Sequence, residues 1–200
     1  MKTTISVFAF SLILAGSVLA QSAPTHDAAK IESGTYAVDP YHTQVTFGVA
    51  HMGFSEFRGR FNTASGTLML DAKKPGASTF DVQVAVNSVD TPVEKLTGEL
   101  KDEAWLDAKK YPQITFKATN VVVTGSGEAK VTGDFTLHGV TKPLTLNAKL
   151  VGGGMNPLTK KYNVGFELSG KIQRSDFGVK TYVPLIGDEV DLTISAAFEK

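Results

Sequence analysis

Apolar residues recur at every second position through most of this 200-residue chain. Val45, Phe47 and Val49 alternate with small or polar residues, and the same alternation returns near the C-terminus, from Val190 to Phe198. A period of two is the spacing of β-strands that bury one face, and Gly-rich or polar turns separate the runs. The pattern predicts about eight or nine antiparallel strands. An all-β fold follows, built either as a sandwich of two sheets or as a closed barrel.

The N-terminal residues have the layout of a secretory signal peptide. A lysine precedes a short apolar stretch, and a small-residue pattern ends at Ala20. We expect residues 1–20 to be cleaved on export and residues 21–33 to form a flexible polar leader. Residues 34–200 should then fold as one domain.

Composition excludes several classes of site and partner. The chain has no cysteine, so disulfides, thiolate metal sites and cysteine nucleophiles are excluded. Lys plus Arg and Asp plus Glu each number 20, and loss of Lys2 with the signal peptide leaves a net charge of about −1. This balance argues against nucleic acid or an anionic membrane surface as the main partner.

One stretch breaks the strand pattern. Residues 91–112 are charged and poor in β-branched side chains, and Leu96 and Leu100 have helical spacing. We expect one or two short helices there, ended by Pro112. Trp105, within this stretch, should cover an end of the core.

The candidate catalytic and metal-binding side chains are widely spaced. His42 and His51 flank an extended run and would lie on the order of 30 Å apart, on opposite faces of the strand. The sequence contains no HExxH metal motif, GxSxG elbow, P-loop or dinucleotide fingerprint. It therefore predicts no metal, no cofactor and no catalytic residue. Arg174 and Asp176 follow an apolar strand, and they either pair with each other or leave Arg174 as a planar donor for a ligand oxygen.

The inward-facing rows mix bulky and small side chains. The bulky ones include Phe47, Phe116, Phe135 and Phe166, and the small ones are Ala118, Gly133, Ala148, Gly170 and Ala196. A barrel of about eight strands is either filled by its side chains or wide enough for one slender ligand. Interdigitated large and small residues fit a filled core, and the same mixture fits a cavity, so periodicity leaves both possibilities open.

Four stretches resemble the signature motifs of the YceI-like family. VDPYHTQVTFGVAH (residues 38–51) is similar to the family's opening LDPxHSxVxFxVxH, although Thr43 replaces the usual Ser. Residues 88–116 resemble the family's helical segment. GDFTLHGVTKPLTL (133–146) and RSDFG (174–178) match its two later motifs, in the family's order.

The resemblance implies an extended, eight-stranded, lipocalin-like antiparallel barrel with a short helical excursion. It also implies a periplasmic carrier, without enzymatic activity, that holds a polyisoprenoid, an isoprenoid quinone or a similar long-chain lipid. The small inward residues would then make the tunnel. A membrane protein would be the transient donor or acceptor of the lipid, and the oligomeric state, monomer or homodimer, stays open.

If the barrel holds such a chain, the inward-facing positions of its strands should contact it. The positions expected to contact the chain are Phe47, Val49, Phe116, Phe135, Leu146, Phe166, Leu168 and Ile194. His42 or Arg174 is the expected head-group contact. Two alternatives remain, an exported stress or scaffolding barrel that acts through its surface without a lipid, and an enzyme that acts on the lipid.

Overall fold

The computed structural model describes residues 23–200, and the expected signal peptide lies outside them. The described residues form eleven β-strands and one α-helix. The strands are β1 (Gly34–Val38), β2 (Gln44–His51), β3 (Ser55–Phe61), β4 (Ala64–Leu70), β5 (Thr79–Ala85), β6 (Val89–Asp90), β7 (Gln113–Gly125), β8 (Glu128–Leu137), β9 (Val140–Met155), β10 (Tyr162–Gln173) and β11 (Ile186–Glu199). The helix is α1 (Glu94–Glu99), and short 3-10 turns lie at Ala28–Lys30, Pro75–Ala77, Val86–Ser88 and Arg174–Phe177. No helix within residues 23–200 is long and apolar enough to span a bilayer.

The strands form a closed, eight-stranded antiparallel barrel. Pairing runs from β1 through β4, β5, β7, β8, β9, β10 and β11, and Ala37 and Val38 of β1 pair with the end of β11 to close the circle. β2 pairs with the same edge of β11, β3 pairs with β2, and β6 pairs with β3. Three strands of the barrel wall are therefore bent, and each is made of two segments: β1 and β2, β3 and β4, and β5 and β6. The expected all-β barrel is confirmed.

The bends explain why eleven strands form where alternation predicts about eight or nine. Between β1 and β2 the chain leaves the ladder at Pro40, which has no N–H to donate. The Asp39 N–H still donates to the Ala197 carbonyl at 2.8 Å, and the Thr43 hydroxyl donates to the same carbonyl at 3.1 Å. The 3-10 turn at Val86–Ser88 separates β5 from β6 in a similar way.

Residues 91–112 contain the expected short helix, and they also close a gap in the barrel wall. β6 pairs with β3 through Val89 and Asp90, and β7 pairs with β5 and β8. Within the part of the chain that the structure describes, no pairing joins β6 to β7. α1 and the turns after it fill this space, with Leu100 and Leu106 packed against the core. Side chains, rather than a hydrogen-bonded ladder, make this part of the wall.

Residues 23–33, which the sequence assigns to a flexible leader, lie against the opposite end of the barrel. Thr25 pairs with Gly153 through two backbone hydrogen bonds of 2.8 and 2.9 Å. Ile31 is buried in the core beside Gly153. Burial of the Ile31 side chain anchors this otherwise polar segment.

Candidate functional site

Four apolar cavities follow one another along the inside of the barrel. From the Trp105 end, where β11 begins, to the Ile31 end, where β11 finishes, their volumes are about 120, 90, 120 and 290 Å³, and we call them cavities A, B, C and D. Phe135 borders A and B, Phe198 borders B and C, and Phe166 borders C and D. The cavities therefore make one interrupted tunnel through the barrel.

Aromatic rings interrupt the tunnel. Phe80 borders B and C, with its ring centroid 5.8 Å from that of Phe116 and 5.6 Å from that of Phe198. Phe61 borders A and B, and its centroid lies 5.6 Å from that of Phe47. One ligand molecule can occupy neighbouring cavities only if such rings change rotamer. Because the walls around them are apolar, no hydrogen bond has to break when they turn.

The small inward residues have two different roles. Ala148 borders cavities C and D, as expected of a residue that makes room for a ligand. A Cβ at Gly133 would lie 2.7 Å from the Phe116 ring, and one at Gly170 would lie 2.6 Å from the Leu146 side chain. The expectation that these two glycines form the tunnel is wrong, because neighbouring wall residues fill the space that they leave.

All eight positions expected to contact a lipid chain border a cavity. Phe47 and Val49 line A, Phe135 lines A and B, Phe116, Leu146 and Ile194 line B, Leu168 lines B and C, and Phe166 lines C and D. The alternation thus identifies the inner faces of β2 and of β7 to β11. Contact between these residues and a bound chain stays a prediction.

Arg174 is the charged side chain in the wall of cavity A. It is buried, and its guanidinium donates four hydrogen bonds, of 2.8 to 3.1 Å, to the carbonyls of Val179, Thr181, Ile186 and Gly187. The Trp105 ring centroid lies 5.7 Å from the guanidinium carbon. Burial lowers the pKa of Arg174, and the nearby Asp188 partly offsets this effect. Four of the five guanidinium N–H groups therefore fix the connection between β10 and β11.

The expected pairing of Arg174 with Asp176 does not form. Asp176 instead lies 3.0 Å from Lys142. Asp188 accepts hydrogen bonds from the Ser175 N–H at 2.8 Å and from the Ser175 hydroxyl at 2.6 Å. The bond from the Ser175 hydroxyl lowers the pKa of Asp188 in spite of partial desolvation. Asp188, rather than Asp176, is thus the carboxylate that braces this end of the barrel.

His42 lies outside the walls of all four cavities. Its Nδ1 donates to the Asp39 carboxylate at 2.6 Å, and its side chain is 71% exposed. Burial raises the pKa of Asp39, but the hydrogen bonds from His42 and from the Tyr41 N–H outweigh burial and leave this pKa below its usual value. The pair braces the bend between β1 and β2. The structure therefore brings Arg174 to a cavity and leaves His42 away from one.

Cavity D differs from the others because acidic side chains border it. Asp27 and Glu128 line this cavity together with Ser126. Sequence reasoning missed both acids, since Asp27 falls in the expected leader and Glu128 follows a hairpin turn. Among residues 23–200, no group of three or more His, Asp or Glu side chains is placed to hold a metal ion. What the tunnel can do chemically is to exclude water from a long apolar molecule.

Comparisons with known proteins agree with this architecture. Residues 36–198 match the family described as YceI-like domain. Protein YceI of Escherichia coli O157:H7 is 43% identical over 154 residues, which cover 77% of this chain and 80% of that protein. The crystal structure of a Campylobacter jejuni YCEI protein has a TM-score of 0.66 and 29% identity, and covers 76% of this chain and 89% of its own. A polyisoprenoid binding domain from Saccharophagus degradans, implicated in plant cell wall breakdown, shares the fold with a TM-score of 0.63 and 15% identity, over 84% of this chain and 99% of its own.

Proposed function

This chain belongs to the YceI-like family, and on that premise we propose that it is a periplasmic carrier for one long-chain lipid, a polyisoprenoid or an isoprenoid quinone. The Saccharophagus degradans domain of the same fold is named for polyisoprenoid binding, which supports this ligand class. In the proposal, residues 1–20 direct export and are removed, residues 21–33 lead into the domain, and the barrel of residues 34–200 binds without catalysis. A membrane protein delivers or receives the lipid.

The tunnel is the observation that carries the proposal. An apolar cavity of roughly 150 Å³ holds one benzene molecule. Cavities A, B and C, at about 120, 90 and 120 Å³, therefore match about one five-carbon unit each, and D, at about 290 Å³, matches about two. Burial contributes about 0.8 kcal/mol per CH₂, so one unit contributes at most roughly 3 to 4 kcal/mol before ordering costs. About five units would then be held firmly by burial alone.

Polar groups at the tunnel ends would choose the head group. An apolar wall distinguishes two chains that differ by one methylene by only about 1 to 3 kcal/mol of binding free energy. Related chains should therefore bind with similar affinity. At the Trp105 end, we propose Arg174 as the head-group contact, through the N–H of Nη1 that makes no bond to the backbone. His42 lies outside the cavities, so we assign it no contact with the lipid.

Native mass spectrometry and organic extraction of the purified mature protein test this proposal. A carrier should retain about one lipid per barrel, and delipidated protein should take up a prenol or a quinone with the same stoichiometry. A barrel that acts only through its surface should release no lipid. Empty protein that also takes up neither ligand would rule out the carrier function.

A further inference from the structure

We propose that the Trp105 end of the barrel docks on the surface of an electrically neutral lipid bilayer. The docking surface is an apolar rim formed by Met52, Phe54, Tyr182 and Leu185. The inference rests on the proposed lipid-binding function and adds to it the surface through which lipid enters the tunnel.

The four rim residues lie on two adjacent turns. The Met52 N–H donates to the Leu185 carbonyl at 2.9 Å, which joins the turn between β2 and β3 to the connection that precedes β11. Phe54 completes the first of these turns. The Tyr182 ring centroid lies 6.1 Å from that of Trp105, and Trp105 lines cavity A. The rim therefore borders one end of the tunnel.

These four exposed side chains are distinguished by their clustering rather than by the exposure of any one of them. Phe54 is 88% exposed, Tyr182 65%, Leu185 62% and Met52 50%. Single exposed apolar residues are common on proteins, but a cluster on neighbouring turns forms a patch of the kind that marks interaction sites. Aromatic and aliphatic side chains together suit the boundary between lipid head groups and acyl chains.

The backbone conformation of two rim residues supports a role for their side chains. Met52 has a φ of 52° and Tyr182 a φ of 61°, in the left-handed region where Asn, Asp or Gly is favoured. Among the described residues, the other non-glycine residues in this region are polar: Asp107, His138 and Lys160. Large apolar side chains at such strained positions indicate that the exposed apolar surface itself is needed.

The charges around the rim match a neutral lipid surface. Arg58 pairs with Glu56 at 2.8 Å, and acidic residues slightly outnumber basic ones in the segments that form this end of the barrel, 51–58, 91–110, 138–142 and 174–189. Binding to anionic lipid requires clustered Lys and Arg, each contributing about 1 kcal/mol near the surface. This end has no such excess, so apolar insertion must supply the affinity, and zwitterionic lipid is the fitting partner.

Co-sedimentation of the full mature protein with phosphatidylcholine vesicles tests the rim. Phe54→Asp and Leu185→Asp should each lower the partition coefficient at least about tenfold, as expected for loss of one inserted apolar side chain. Leu158→Asp is the matched control, because Leu158 is 89% exposed but lies in the turn between β9 and β10, at the Ile31 end. The control should bind like the parent, and anionic lipid should not strengthen binding. Equal vesicle binding by the parent and both rim variants would overturn the inference.

Uptake of a prenol from two sources separates the rim from the tunnel. The double variant Phe54→Asp/Leu185→Asp should take up prenol from detergent solution like the parent, and from vesicles at least about tenfold more slowly. If the parent binds vesicles but takes up prenol from neither source, the carrier function fails and the docking surface stands. The parent could instead fail to bind vesicles and form a dimer that the rim substitutions dissociate. In that case the rim is a contact between two copies of the chain, and the inference is wrong.

Discussion

Replacing Ala148 with Phe should close the tunnel between cavities C and D, because Ala148 borders both. The added ring resembles benzene, one molecule of which fits a cavity of roughly 150 Å³, and cavity C measures only about 120 Å³. A chain that enters from the Trp105 end then loses cavity D, the space of about two five-carbon units. Burial of about ten carbons is worth at most roughly 8 kcal/mol. If ordering costs take half, about 4 kcal/mol remain, or roughly a thousandfold in Kd.

Calorimetric titration with prenols of three and of five isoprene units measures this effect. The parent should bind the longer prenol much more tightly, whereas Ala148→Phe should bind both with similar Kd values. Ala50→Phe is the control, because Ala50 is exposed and its neighbour Val49 faces cavity A; it should keep the preference of the parent. Urea unfolding checks the folding of the variant, for which overpacking costs about 1 to 3 kcal/mol. A correctly folded Ala148→Phe protein that retains the full preference for the longer prenol would refute the continuous tunnel.

Three further predictions follow from single side chains. Phe166→Trp enlarges a ring at the junction of cavities C and D. It should lower lipid occupancy in native mass spectra while the circular dichroism spectrum stays unchanged. Unaltered occupancy would show that Phe166 does not line the tunnel. Arg174→Met leaves four carbonyls without their donor and should lower the free energy of unfolding, measured in urea, by about 3 to 5 kcal/mol. A loss below about 1 kcal/mol would show that water replaces those hydrogen bonds. The lowered pKa of Asp39 contributes stability that is fully present above the carboxyl's unfolded value of about 3.9 and is lost as the pH falls through the lower folded value. Asp39→Asn should therefore be less stable than the parent at neutral pH, and a difference that persisted unchanged to pH values below both pKa values would exclude this cause.

The inner face of the barrel could be predicted from the sequence because strand geometry fixes it. Successive side chains in a strand point to opposite faces, so finding Phe47 in a strand also places Val49 on the same wall. The glycines show the limit of this rule. Gly133 and Phe116 both have inward positions, and only the packing across β7 and β8 reveals that the ring takes the space of the missing side chain.

Arg174 could be identified as a candidate from the sequence, but its hydrogen-bond partners, the acidic border of cavity D and the rim could not, because long-range or backbone geometry creates them. The acceptors of Arg174 are carbonyls of the connection that folds back over it, and carbonyls have no sequence pattern. Asp27 reaches cavity D because the buried Ile31 anchors its segment. Met52 and Tyr182 have a positive φ although neither residue type favours it.

Among the described strands no pairing joins β6 to β7, and this gap gives the barrel wall a seam. A closed ladder widens only when paired backbone hydrogen bonds break together, and each buried group left unpaired costs about 1 to 3 kcal/mol. Along the seam, by contrast, the wall consists of residues 91–112, whose Leu100, Trp105 and Leu106 side chains border cavity A. An apolar guest that parted this wall would exchange mainly apolar contacts, and the hydrogen bond from the Thr181 hydroxyl to the Ala104 carbonyl is the polar contact that it would have to break or preserve. Widening there would leave the strand ladder intact, so we expect a branched chain to enter sideways more easily here than between paired strands.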